Sequence, residues 1–156
     1  MAIQTGDKAP SFTLYSDNQK PVSLADYQGQ NVVVLFFPLA FTGVCTDELC
    51  TMRDAMNEYN ELNAQVLAIS VDSPFTLQKF KASENFNFPL LSDFNKEVSR
   101  QYGALYEEFV FDMRGVSKRS AFVVDSSGVV RYAEVLESAG DLPNFDAIKA
   151  TLADLS

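Results

Sequence analysis

The longest unbroken apolar run in the chain is Val32-Val33-Val34-Leu35-Phe36-Phe37. It does not alternate, and it is rich in β-branched and aromatic side chains. It therefore predicts a strand covered on both faces in a mainly parallel sheet. Pro38 ends it. After a loop containing Gly43, the segment from about Thr42 to Leu62 carries Leu49, Met52, Met56, Tyr59 and Leu62 at spacings of three and four. That pattern predicts a helix with one apolar stripe. Gln65 to Val71 reads as a second apolar strand. Ser73 followed by Pro74 is a good N-cap and first-turn pair for a helix to about Ala82 that buries Phe75, Leu77 and Phe80, with Phe86 beyond.

The flanks read less uniformly. Ser11–Tyr15 and Pro21–Leu24 predict an N-terminal hairpin across the turn Ser16-Asp17-Asn18. Phe88–Leu91 predicts a short strand, and Lys96 to Tyr102 a short helix ended by Gly103. The aromatic-rich stretch Leu105–Arg114 alternates only in part and reads as a hairpin arm or a loop. Ala121–Asp125 and Val129–Val135, separated by Ser126-Ser127-Gly128, form the clearest hairpin. Asn144 to Leu155 predicts a closing amphipathic helix. Strands alternating with helices, then a hairpin and a helix, imply an α/β fold: a mixed central sheet flanked by helices, with an N-terminal β-hairpin.

Length and composition narrow the picture. With 156 residues, 47% of them hydrophobic, the chain is expected to be one domain spanning residues 1–156. A formal net charge of −9 argues against nucleic acid or an anionic membrane surface as partner. The opening MAIQTGDKAP has neither a basic start nor an apolar core, so no secretory or transit segment is predicted and a cytoplasmic location is expected. No apolar run approaches a membrane span.

The chemistry gathers at Cys45 and Cys50. With two cysteines and no histidine, the usual four-ligand structural zinc set is not available, nor is any imidazole general base. In a reducing compartment paired thiols are usually catalytic or redox-sensing. Cys45 falls at a strand-loop-helix junction, where the free N–H groups of a helix start favour a thiolate. Asp47 and Glu48 in the same turn oppose that charge, so a cation must arrive from elsewhere.

The spacing Pro38-x-x-x-Thr42-x-x-Cys45 within FFPLAFTGVCTDEL resembles the peroxidatic-cysteine motif of peroxiredoxins. The resemblance runs from Gly6-Asp7-Lys8-Ala9-Pro10-Ser11-Phe12 through Phe88-Pro89-Leu90-Leu91-Ser92-Asp93 to Arg119-Ser120-Ala121-Phe122-Val123-Val124-Asp125. It is nearest to the AhpE-like and bacterioferritin-comigratory-protein (PrxQ-like) branches. It implies a thioredoxin-like fold and an antioxidant, thiol-dependent peroxidase that needs no metal, haem or flavin. Its implied substrates are hydrogen peroxide and organic hydroperoxides, and its implied reductant is thioredoxin or a similar dithiol. The chain departs from thioredoxin itself in its C-x4-C motif and in having no proline before the Ala121 strand, where Arg119 stands. A loop there would face Cys45 and make Arg119 the missing cation.

The resemblance also implies a role for each residue. Cys45 would be the nucleophile, against a reading as a buried inert thiol. Thr42 could cap the helix, bond peroxide and thiolate, or both. Pro38 ends the strand and would shield the thiolate. Arg119 competes with Lys118 and Arg114 as ordinary surface charge. Glu48 is either a surface acid or a partner of the arginine; Arg53 either joins that cluster or pairs with an acid on its own helix. Phe36, Phe37 and Phe41 read as core, with Phe41 also lining the entrance.

Cys50 divides the readings. Five residues along an ideal helix separate the two Cα atoms by roughly 8.6 Å, whereas a disulfide wants about 4.4 to 6.8 Å. In the PrxQ-like branch a cysteine at this spacing resolves the oxidised one, which would require the first helical turns to unwind. Otherwise Cys50 is a bystander and an external small thiol or a glutaredoxin-like partner does the resolving. A third reading is a peroxide sensor or chaperone-like interaction module with negligible turnover. Oligomeric state, monomer or homodimer, is left open by the sequence.

Overall fold

The computed structural model describes residues 3–155. Its frame is a mixed seven-stranded sheet. The strands are β1 (Thr13–Ser16), β2 (Pro21–Ser23), β3 (Asn31–Phe36), β4 (Ala64–Ser70), β5 (Leu90–Ser92), β8 (Ser120–Val124) and β9 (Val130–Val135), in the order β2-β1-β5-β4-β3-β8-β9. β3 runs parallel to β4 and antiparallel to β8. The helices are α1 (Gly43–Asp54), α2 (Met56–Glu61), α3 (Pro74–Glu84), α4 (Glu97–Gln101) and α5 (Phe145–Asp154). A small separate pair, β6 (Leu105–Tyr106) with β7 (Val116–Ser117), closes the base of the irregular stretch. The fold is thus the α/β, thioredoxin-like arrangement read from the sequence, N-terminal hairpin included.

β3 is buried at all six positions, and its two faces serve two cores. Val33, Leu35 and the following Phe37 pack with Leu49, Met52, Tyr59, Leu77, Phe80, Ile148 and Leu152 under the helices α1, α2, α3 and α5. Val32, Val34 and Phe36 face Phe12, Tyr102, Phe122 and Val124 on the other side. There the Phe36 ring lies 5.3 Å from Tyr102 and 5.9 Å from Phe122. Tyr102 satisfies its hydroxyl by donating to the Pro10 carbonyl at 2.7 Å. This double covering is why the run shows no alternation.

Several expectations need correction. The helix from Thr42 to Leu62 is two helices, broken at Ala55 (φ −101°, ψ 8°). There the Asn87 side-chain amide donates to the Arg53 carbonyl at 3.4 Å, a side chain entering the helical ladder. Phe75 is 69% exposed rather than buried, because it sits about 200° around the helix from Leu77. α3 continues to Glu84 and ends on left-handed Asn85 (φ 55°), after which Phe86 turns into the core. The strand expected over residues 88–91 forms as Leu90–Ser92, one pair of residues later at its start. Phe36 and Phe37 are core, but Phe41 is 55% exposed.

Candidate active site

The order of strands dictates what surrounds Cys45. β3 ends at Phe36, and its register with β8 pairs Phe36 with Ser120. Antiparallel pairing therefore brings the residue just before β8, Arg119, to the exit of β3, where the chain turns into α1. The connecting loop is fastened from two sides. The Ala40 N–H donates to Asp72 Oδ2 at 2.8 Å, and Asp72 Oδ2 also accepts from Ser70 Oγ at 2.7 Å. Phe41 adopts φ +68°, a costly backbone state for a large side chain, and its ring packs 4.9 Å from Phe80.

Thr42 occupies the N-cap of α1 with extended backbone (φ −88°, ψ 154°), but its side chain does not cap the helix. Its hydroxyl donates back to the Leu39 carbonyl at 2.8 Å. The first turn then buries Cys45 completely, with Glu48 one turn along on the same inward face.

Arg119 is 2% exposed and uses its guanidinium as a three-way fork. Nη2 donates to Cys45 Sγ at 3.2 Å, Nη1 to Glu48 Oε1 at 2.6 Å, and Nε to the Ala139 carbonyl at 2.9 Å. Its own carbonyl accepts from Leu136 N–H at 2.9 Å, which fixes the base of the side chain. Arginine suits this because it stays charged and carries its donors in one plane. Burial opposes charge on Arg119, yet Glu48 and Cys45 outweigh it and hold its pKa above the ordinary value.

The opposing acids are handled differently. Asp47 is exposed, where water screens it. Burial pushes the Glu48 carboxyl up to about 7, with Arg119 pulling the other way. Near neutrality Glu48 thus carries only part of a negative charge, and its Oε2 has no partner among the described residues. The conflict read from the sequence is thereby muted.

A cavity of about 260 Å³ opens over this cluster, lined by Pro38, Thr42, Cys45 and Arg119 together with Phe109 and Val110. Pro38, Thr42, Cys45, Arg119 and Glu48 are therefore brought together. Phe41 is not among the residues lining it. Arg53 stands apart, pairing with Asp54 on its own helix at 2.9 Å. Cys50 is a free, half-buried thiol whose Sγ–H donates to Glu84 Oε1 at 3.5 Å. Phe109, Val110, Asp72 and the Ala139 carbonyl were not picked out from the sequence. The aromatic density of residues 105–111 was the only hint of the first two, and an aspartate closing an apolar strand the only hint of Asp72.

A thiol at a helix start, bonded to a buried guanidinium on a thioredoxin-like frame, defines a cysteine-based redox protein. The AhpC/TSA family model matches residues 5–133, and the chain belongs to that family. It is 43% identical over 136 residues to alkyl hydroperoxide reductase E of Mycobacterium tuberculosis, covering 85% of this chain and 86% of the relative. To peroxiredoxin Bcp of Escherichia coli it is 37% identical over 131 residues, covering 83% and 84%. The crystal structure of peroxidoxin BcpB from Mycobacterium tuberculosis superposes with a TM-score of 0.87 at 31% identity, over 99% of both chains. The protein is accordingly a peroxidase of the peroxiredoxin type, an oxidoreductase whose family implies a hydroperoxide substrate and a thiol reductant. Among the described residues no helix is long and apolar enough to cross a membrane.

Proposed function

We propose that Cys45 is the peroxidatic nucleophile and that hydrogen peroxide and organic hydroperoxides are its substrates. The observation that carries this reading is the Arg119 Nη2 to Cys45 Sγ contact of 3.2 Å at the floor of the cavity. The Cys45 thiolate attacks the terminal oxygen of the hydroperoxide and the O–O bond breaks. The peroxide's own proton goes to the leaving oxygen, so water or an alcohol departs and Cys45 is left as a sulfenate, which takes up one proton to become a sulfenic acid. Arg119, already aimed at the reacting sulfur, stabilises charge there without having to reorganise. Thr42 orients the peroxide with its hydroxyl and Pro38 keeps water from the sulfur. The name of the mycobacterial relative, an alkyl hydroperoxide reductase, supports organic hydroperoxides as substrates.

Cys50 then condenses with the sulfenic acid, and thioredoxin or a similar dithiol reduces the resulting Cys45–Cys50 disulfide. This cycle belongs to a reducing compartment such as the cytoplasm, which suits two free thiols. One observation favours a second reading. Both cysteines sit on one continuous helix, where ideal geometry keeps their Cα atoms roughly 8.6 Å apart, and Cys50 already has a partner in Glu84. In that reading Cys50 is a bystander and an external thiol resolves Cys45.

Intact mass with a free-thiol count, after one equivalent of hydrogen peroxide is added to fully reduced protein, separates the two. Loss of two hydrogens and both thiols within one chain establishes the bridge. Gain of oxygen with Cys50 still free leaves a one-cysteine peroxidase. An unchanged mass overturns the assignment of Cys45.

A further inference from the structure

We propose that Glu84 is a positioning residue for the resolving step: it docks the Cys50 side chain against the end of α3 and frees it as a nucleophile only when α1 unwinds. This rests on the resolving role given to Cys50 above. Three bonds join the same two stretches of chain. Cys50 Sγ–H donates to Glu84 Oε1 at 3.5 Å, Arg53 Nη1 donates to the Glu84 carbonyl at 2.5 Å, and Asn87 Nδ2 donates to the Arg53 carbonyl at 3.4 Å. The strap thus ties the second half of α1 to the last residue of α3 and the turn after it.

The strap has a chemical consequence as well as a mechanical one. The charged groups facing Cys50 are Arg53 and Asp54 from its own helix and Glu84 from α3. Burial first, then the bond to Glu84, push the Cys50 thiol above its ordinary pKa; Arg53 pulls it down, and the charges of Glu84 and Asp54 add to the rise. A thiol held protonated is a poor nucleophile. When α1 opens, Cys50 leaves both the carboxylate and its apolar neighbours, so its thiolate fraction rises as the two sulfurs come within reach. The segment is suited to opening, since Gly43, Val44, Thr46, Asp47 and Thr51 are all weak helix formers.

The step itself is balanced without an outside oxidant. The Cys50 thiolate attacks the sulfenyl sulfur of Cys45, and the S–S bond forms as the S–O bond breaks. The departing hydroxide takes up the proton that Cys50 released, leaving as water. In the closed state Glu84 suppresses Cys50; in the open state it no longer touches it.

The test is made in a Cys45→Ser background, where only Cys50 can react, by following iodoacetamide alkylation across pH. Glu84→Ala and the isosteric Glu84→Gln are compared with the parent, and circular dichroism verifies that each folds. The expected result is a several-fold faster alkylation at neutral pH and a profile displaced to lower pH, larger for Glu84→Ala. With Cys45 restored, bridge formation after one equivalent of hydrogen peroxide is expected to be several-fold faster in Glu84→Ala. Alkylation profiles that coincide with the parent overturn the proposal, whatever Cys50 does in the cycle. A displaced profile in a protein that forms no Cys45–Cys50 bridge even without the substitution overturns the resolving reading, and with it any part for Glu84 in that step.

Discussion

Arg119 makes each of its contacts from a different nitrogen. Lysine at the same place keeps the charge but cannot reach Cys45, Glu48 and the Ala139 carbonyl in one geometry. Losing one charge-assisted bond costs about 1.5–3 kcal/mol. Arg119→Lys is therefore expected to slow oxidation of Cys45 by roughly ten- to a hundred-fold, measured by stopped-flow loss of the Cys45 thiol against hydrogen peroxide. A rate within a factor of about two of the parent would count against a direct part for the guanidinium. At this scale the sequence was informative where a residue type has one strong use. Arg119, placed just before an apolar strand with a cation wanting, was legible. Thr42 was legible as the first residue before a helix but not in its hydroxyl's choice of Leu39 over the helix N–H groups, because one hydroxyl can either donate to a carbonyl or accept from an N–H.

Elements were legible wherever burial set the pattern. β3 and β4 stood out because both faces are covered, and the β8–β9 hairpin because Ser126-Ser127-Gly128 separates two apolar runs. What stayed hidden depended on contacts distant in sequence. The break at Ala55 needs Asn87, and the seating of Phe41 needs Phe80. Within Leu105–Arg114 only Leu105 and Tyr106 join a strand, paired with Ser117 and Val116 beyond it, so alternation there was partial. For α1 the governing quantity is its own stability against opening. Thr51 is exposed and bonds back to the Asp47 carbonyl at 2.8 Å, a choice that weakens a helix. Thr51→Ala should stabilise α1 by roughly 0.5 kcal/mol. If bridge formation requires α1 to open, the substitution slows bridging by about twofold while leaving the first oxidation of Cys45 unchanged. Rapid-quench mass analysis after a single peroxide addition reads both steps; an unaltered bridging rate would mean that opening of α1 is not limiting.

For the molecule as a whole, the buried Glu48 links the candidate active site to global stability. The folded protein keeps its proton up to about 7, whereas an unexceptional glutamate gives it up near 4.5. Between those values the folded state binds more protons than the unfolded one. Stability from this group is therefore full below about 4.5 and is lost as pH rises through about 7. Glu48→Gln has no such proton to lose. Urea midpoints should accordingly fall more for the parent than for the variant between about pH 5 and about pH 8. Parallel curves would show that Glu48 ionises as readily folded as unfolded.

The interruption at Ala55 bears on how far a local opening can travel. Helix melting spreads along a continuous ladder of backbone bonds, each loss easing the next. Here the ladder stops at Asp54, and α2 begins afresh with Met56 and Tyr59 set into the helix-side core. The break works as a firebreak. If bridging melts α1, the melt ends at Ala55 and Tyr59 keeps its seat, so that one short helix with its own core residues Leu49 and Met52 is at risk rather than the whole helix-side core.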